Sequence, residues 1–323
     1  MQAITLPRYG SPDVLKLENI PQPTADENQV LIKVHAAAAN PLDWHKMRAD
    51  PFLVRLTDGL LKPKDQRMGA DFAGVVEAIG RGVTNLKVGD RVFGESAGAF
   101  AEYMTASADK IAKIPDNISF IEAAAIPVVG FTALQGLRDT GKIKAGDKVL
   151  VNGASGGVGS MAVLIAKAYG AEVTGVCSTR NLELVRSIGA DYVIDYTRED
   201  FTMNGKQYDL IYDAVGNLTV GQLQKALTPT GRGVVAGFTT MGSMMWLALR
   251  GLFASKKDGQ WIGMMGSAQP NQADLEFLAE WLEAGKIKAI IDRSYSLEEA
   301  PEAIRYLETM RARGKVIVTV VKV

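Results

Sequence analysis

Residues 149–159 read Val149-Leu150-Val151-Asn152-Gly153-Ala154-Ser155-Gly156-Gly157-Val158-Gly159. An apolar run of strand length meets a glycine cluster, and apolar residues return at helical spacing over 158–169 until Gly170 stops them. The stretch predicts a strand, a tight turn and a helix start. Glycine at 156 and 157 lets a ligand approach the backbone closely, and the N–H groups of a helix start favour an anion. Gly156 and Gly157, with Ser155 and Val158 beside them, therefore form a candidate cradle for a dinucleotide diphosphate. Ala154 stands where the common G-x-G-x-x-G pattern has its first glycine, so the surrounding elements must carry the argument.

Those elements support it. Short apolar runs of strand type fall at 148–152, 172–177, 192–195, 209–214, 233–238 and 261–265, with helical stretches between them. Six strands joined by crossovers predict a doubly wound parallel sheet of α/β class, the Rossmann arrangement. Ser119 and Glu122 have capping-box spacing ahead of Ala123, so this part is expected to begin near residue 119.

Upstream the pattern differs. Residues 1–118 alternate in short runs such as 29–36 and 72–79, broken by Pro and Gly, which predicts a small β-barrel. Downstream, helical spacing over 274–284 gives way to a strand-like run at 287–293. Ser296 and Glu299 form a second capping-box pair, and 315–320 reads as a final strand. The expected domains are 1–118 with 290–323, and 119–289.

At 323 residues, two cores are the natural division. Lys plus Arg and Asp plus Glu each number 36, so no global field favours nucleic acid or an anionic membrane. Cys177 is the only cysteine, which excludes an internal disulfide framework and a thiolate zinc cage; it is expected to be a small apolar side chain ending a strand. No run reaches the ~18–20 apolar residues of a membrane span, and the N-terminus lacks a secretory leader pattern, so a cytoplasmic enzyme is expected.

The turn, together with Gly69-Ala70-Asp71-Phe72-Ala73-Gly74, Val88-Gly89-Asp90-Arg91-Val92-Phe93-Gly94, Asn40-Pro41-Leu42-Asp43, 189–196 and Arg313-Gly314-Lys315-Val316, resembles the medium-chain dehydrogenase/reductases. The likeness spans the chain and points to the zinc-free quinone oxidoreductase branch, whose first domain is a GroES-like barrel. It implies a nicotinamide cofactor; the substrate cleft is expected between the domains, and a homodimer is expected.

The second strand selects the cofactor. An acidic residue at its end holds the ribose 2′-hydroxyl of NAD, but Ser178 stands there, with Arg180 two residues on to neutralise a 2′-phosphate. NADPH is expected. The resemblance adds Tyr196 to the phosphate pocket, Thr132 and Asn40 near the nicotinamide, and Lys315 reaching the cofactor from the last strand. Val215, after the fourth strand, and Phe238, at the end of the fifth, complete the expected cofactor contacts.

By the same resemblance, the zinc-ligand positions of the metal-dependent relatives hold Asn40, Ala70 and Val128, with Asp71 at the neighbouring acidic position. No metal site is expected. Without a Lewis acid, simple ketones and alcohols are poor partners for hydride exchange, whereas quinones and enones delocalise the charge that hydride brings. The expected activity is NADPH-dependent reduction of a quinone or an α,β-unsaturated carbonyl. The rivals are a carbonyl or alcohol oxidoreductase of the same fold and a non-catalytic NADPH-binding protein.

Asn40 is the leading catalytic candidate. His45 falls where zinc relatives keep a proton-relay histidine, but Leu42 replaces the hydroxyl residue that would pass the proton on. A pKa near 6.5 would suit His45 to supplying a proton. Asp43 reads as a brace for the loop, and Trp44, Phe52 and Phe238 as apolar walls for a planar substrate. The Met-rich segment 241–265 offers an apolar face suited to a subunit contact or a lid and, less well because its basic residues are few, to a membrane surface.

Overall fold

The computed structural model describes residues 1–52, 54–237 and 259–321. The chain falls into two compact units, one drawn from 1–128, 270–285 and 289–323, the other from 129–269 and 286–288. Phe238 and most of the Met-rich segment lie outside the described residues.

The first unit is built on the strand Gln29–Ala39, whose Val30, Ile32 and Val34 are fully buried. It pairs antiparallel with Asp71–Ile79, Tyr103–Ser107 and Lys315–Thr319. Arg91–Glu95 and Ile111–Lys113 extend the sheet on one side, and Ile291–Ser296 on the other. Register shifts at Leu31/Ile32 and Val34/Ala36 are irregularities of the kind that bend a strand and let a sheet curl. The run Ala36–Ala39 lies between the C-terminal strand and Asp71–Ile79, with all four alanines buried. Phe72, Phe93, Phe100, Met47 and Met68 fill the core.

The strands Ile291–Ser296 and Lys315–Thr319 are parallel, so the chain must cross over between them, and helix Ala300–Glu308 does so. The strand expected at 287–293 starts later. Ile287 is buried in the preceding loop, so its apolar character marked burial, and pairing begins only at Ile291 opposite Lys315. Ser296 donates from N and Oγ to the Glu299 carboxylate, yet the helix begins one residue beyond Glu299, with Pro301 in its first turn. The expected helix at 274–284 runs Gln272–Glu283, because Asn271 accepts from the Asp274 N–H at 2.8 Å and caps it earlier.

The second unit is a six-stranded parallel sheet. Its order is Tyr192–Asp195, Glu172–Cys177, Lys148–Asn152, Tyr208–Asp213, Leu227–Val235, Trp261–Met264. The order reverses between Lys148–Asn152 and Tyr208–Asp213, the switch point at whose carboxyl ends ligands bind in such sheets. Three of the expected strands match residue for residue. The strand expected at 233–238 instead begins at Leu227, because Leu227 pairs with Tyr208 before an irregularity that takes up 228–231. Ser119 caps helix Phe120–Ala124 as expected, accepting from the Glu122 N–H while Glu122 reaches back to the Ser119 N–H.

Candidate active site

In the second unit, the chain leaves strand Lys148–Asn152 through Gly153, whose φ of +81° is open to glycine and strained for other residues. Gly156 caps helix Gly157–Ala168 in an extended conformation. A Cβ on Gly159 would lie 2.0 Å from the Gly153 carbonyl oxygen, so that glycine lets the helix close onto the turn. At Gly156 a Cβ would meet only the Gly153 oxygen, at 3.6 Å, and would project into space that a bound phosphate can use. Ala154 is accommodated by its neighbour: it is fully buried, and its Cβ packs over Gly175, where an added Cβ would lie 3.1 Å from it and 2.4 Å from Val185 Cγ1. The first-turn N–H groups of the helix lack intrahelical acceptors and carry its positive end, so the turn fits a dinucleotide diphosphate.

Beside the turn, strand Glu172–Cys177 ends at Ser178, which is half-buried, followed by exposed Arg180. Tyr196 is exposed, and its N–H donates to the Cys177 carbonyl, the residue before Ser178. Asp195 accepts from Thr179 Oγ1 at 2.5 Å and from Thr197 N and Oγ1. The Thr179 bond first, with Thr197 and the Arg198 charge, holds its carboxyl below the usual range. Cys177 is buried, and burial pushes its thiol up to about 11, in keeping with an inert strand-end residue. The Val215 side chain covers Gly153, and the Val215 N–H donates to Asp213. Asp213 also accepts from Asn152, Gly216 and Leu218. The Thr132 carbonyl accepts from the Tyr212 hydroxyl at 2.9 Å.

The sequence reading missed Asn181. It is buried at the end of the turn Thr179–Asn181, and its Nδ2 donates to Ser155 Oγ at 2.8 Å and Ser178 Oγ at 3.4 Å. An Asn closing a short turn after a strand carries no motif, and only the fold brings it against residue 155.

In the first unit, Asn40 caps helix Pro41–Arg48. Its N–H donates to Asp43 Oδ2 at 2.8 Å, which gives Asp43 the bracing position expected of it. The Asn40 amide donates to Ala38 O at 3.1 Å and Asp71 Oδ2 at 3.0 Å, so its Oδ1 turns toward Lys315 and accepts from Nζ at 2.5 Å. Lys315 Nζ also donates to Asp71 Oδ2 at 2.8 Å, and Asp71 Oδ1 accepts from the Val128 N–H at 2.9 Å. Lys315 and Asp71 are both buried. Asn40 and Asp71 thus hold an ammonium between them, and the backbone of Val128 braces the Asp71 carboxylate.

Two further carboxyls face this group. Burial foremost, then the charge of Asp71, raises Asp43 to about 7 despite its bond from Asn40 and the opposing charge of Lys315. Glu95, register partner of Asp71, also rises to about 7, through burial and then the charge of Asp71. Asp43 and Glu95 line a cavity of about 340 Å³ with Lys46, Arg67, Lys110 and Pro270 on its walls. His45 lies on the same helix, stacked on Trp44, with Nδ1 2.5 Å from the Asp50 carbonyl. A carbonyl only accepts, so Nδ1 carries the proton there. Phe52 is exposed. Among the described residues, no group of three or more His, Cys, Asp or Glu is arranged to hold a metal ion, and no helix is long and apolar enough to cross a membrane.

A GroES-like barrel unit and a parallel dinucleotide-binding sheet define a dehydrogenase/reductase. Residues 26–116 match the alcohol dehydrogenase GroES-like domain and residues 188–318 the zinc-binding dehydrogenase family. The 2-methylene-furan-3-one reductase of Solanum lycopersicum is 38% identical over 98% of this chain and 79% of its own length. The chloroplastic NADPH-dependent alkenal/one oxidoreductase of Arabidopsis thaliana is 36% identical over the same shares. The quinone oxidoreductase of Coxiella burnetii superposes with a TM-score of 0.88 at 33% identity, covering 99% of each chain. The chain belongs to the medium-chain dehydrogenase/reductase superfamily, in its quinone oxidoreductase-like branch. It is an oxidoreductase that uses a nicotinamide cofactor.

Proposed function

We propose that this enzyme is an NADPH-dependent, zinc-independent reductase of quinones or α,β-unsaturated carbonyls. Residues 1–118 and 290–323 would serve the substrate, and 119–289 would hold the cofactor. One observation carries the metal-free reading: the Lys315 ammonium, bonded to Asn40 and Asp71, fills the cluster whose equivalents bind zinc in other members. A dication needs thiolate, imidazole or carboxylate ligands. Here an amide replaces one, Ala70 and Val128 offer no side-chain donor, and the Asp71 carboxylate is already paired with a cation. The names of the two plant relatives, both reductases of conjugated or related carbonyl compounds, support the substrate class.

The chain's own residues then bind and orient. The turn 153–159 holds the diphosphate on the helix start, with Ser155, Gly156, Gly157 and Val158 around it. Ser178 donates to a 2′-phosphate, Arg180 neutralises it, and Tyr196 flanks it. Thr132 and Val215 complete the cofactor contacts drawn from the described residues. When bound, the nicotinamide supplies a hydride. Asn40, its amide fixed from three sides, and Lys315 form a rigid polar group in the first unit. The His45 Nδ1–H is committed to Asp50, so any proton that His45 supplies to complete reduction leaves from Nε2.

The test is turnover of a quinone, an enone, a simple ketone and an alcohol, with NADPH and with NADH, before and after chelation. Turnover of the first two with NADPH, unchanged by chelator, is expected. Turnover confined to the ketone and alcohol, or abolished by chelation, would overturn the reading. Tight NADPH binding without consumption by any acceptor would identify a non-catalytic protein.

A further inference from the structure

The cofactor reading assigns phosphate contacts to Ser155, in the glycine turn, and Ser178, at the end of the second strand. They are 23 positions apart in sequence, yet both hydroxyls meet one buried amide. Asn181 Nδ2 donates to Ser155 Oγ at 2.8 Å and to Ser178 Oγ at 3.4 Å, and the Asn181 N–H donates to the Ser178 carbonyl at 2.9 Å. A primary amide has two N–H protons, one for each hydroxyl. Asn181 is 5% exposed, and among the described residues its buried Oδ1 has no hydrogen-bond partner.

That orphaned oxygen bears on which way the amide faces. With Nδ2 toward the serines, one acceptor is left unpaired. With the amide reversed, Oδ1 would accept from the serines and two N–H donors would be unpaired in the same buried space. An unpaired buried polar group is costly, so the observed orientation leaves the smaller debt. It also decides the chemistry of the hydroxyls. A serine oxygen that accepts from Asn181 keeps its one proton for another partner. The reversed amide would draw both protons inward and turn lone pairs toward an anion.

We infer that Asn181 is a positioning residue for cofactor phosphates: its amide sets Ser155 and Ser178 as outward donors, Ser155 to the diphosphate and Ser178 to the 2′-phosphate. The inference rests on the NADPH reading. Because one amide orientation serves both hydroxyls, the two phosphate subsites are coupled. NADPH, which uses both, depends on Asn181 more than NADH, which uses one.

Dissociation constants for NADPH, NADH and adenosine 2′,5′-bisphosphate, measured by calorimetry on the full chain, test this. Asn181→Ala should weaken NADPH by roughly tenfold or more, as expected for loss of oriented bonds to a charged group, and NADH clearly less. Asn181→Asp, nearly isosteric, accepts from both hydroxyls and should weaken NADPH and the bisphosphate more than Asn181→Ala does. In a Ser178→Ala background, Asn181→Ala should cost NADPH no more than it costs NADH. A residue that only holds the turn would lower the thermal midpoint and weaken both dinucleotides equally, and that outcome overturns the inference. So does unchanged NADPH affinity in both Asn181 variants. If the unaltered enzyme binds NADH as tightly as NADPH, the cofactor reading itself has failed. The Ser155 half of the inference is then decided on NADH: weaker binding by Asn181→Ala upholds it, and unchanged binding overturns it.

Discussion

Replacing Asp43 by Asn should make the protein relatively more stable as the pH rises. Asp43 is 2% exposed and accepts from the Asn40 N–H, a bond that an Asn side-chain oxygen preserves. In the folded chain its carboxyl titrates at about 7, against an ordinary value of 3.8, with burial as the main cause and Asp71 adding to it. A folded-state pKa raised above the unfolded one stabilises at low pH, and that stabilisation is lost as pH rises through the folded pKa. The unfolded chain releases this proton near pH 4, while the folded chain retains it to about pH 7. At about 1.4 kcal/mol per pKa unit, the difference is on the order of 4 kcal/mol. Glu95, Asp71 and Lys315 act on the same carboxyl, so part of the change is shared among them.

The assay is urea denaturation of the original protein and Asp43→Asn at half-unit steps from pH 4 to 8, followed by a probe in the first unit. The quantity of interest is the difference between the two proteins at each pH, which cancels every group they share. It should shift in favour of Asp43→Asn by a few kcal/mol between pH 4 and pH 7.5, then level off. A difference that is flat with pH, or that moves against Asp43→Asn, would refute the claim that this carboxyl stays protonated to near neutrality.

Lys315→Met should destabilise the first unit by about 3–5 kcal/mol, because it strands the buried Asp71 carboxylate, and adding Asp71→Asn should recover much of that loss in denaturation experiments. Arg180→Ala should weaken NADPH roughly ten- to a hundredfold, the worth of a charge-assisted bond, while leaving NADH nearly unchanged; equal losses in a binding titration would show that Arg180 does not read the 2′-phosphate. Gly159→Ala places a methyl 2.0 Å from the Gly153 oxygen, so binding of both dinucleotides should collapse, and retained affinity would show that the turn can shift to accept it.

The strands at 148–152, 172–177 and 192–195 were legible to the residue because parallel strands buried on both faces leave continuous apolar runs. The Ser119 cap was legible because both partners lie within four residues. The strand ahead of Lys315 was misplaced because Ile287 is buried without being paired, and apolar character alone does not separate the two. Ala154 looked like a departure from the glycine pattern, and its compensation at Gly175 lies on a neighbouring strand. The candidate site shows the same division. Glycines and strand-end residues announced the phosphate cradle, whereas the Lys315, Asp71 and Asn40 contacts span up to 275 positions and obey no spacing that a window can detect.

The long reach of Lys315 also sets an order of assembly. Asp71 is committed to the interior of the first unit, but the ammonium that neutralises it follows 244 residues later, on a strand that must insert beside Ala36–Ala39. A growing chain therefore emits every strand of the second unit before the first can close its buried charge. The first unit waits, with an unpaired carboxylate and an open sheet edge, until the last strand is made. Chains halted after residue 313 should accordingly protect the parallel sheet from proteolysis while leaving the N-terminal barrel open to cleavage; equal protection of both would show that the barrel closes without its cation.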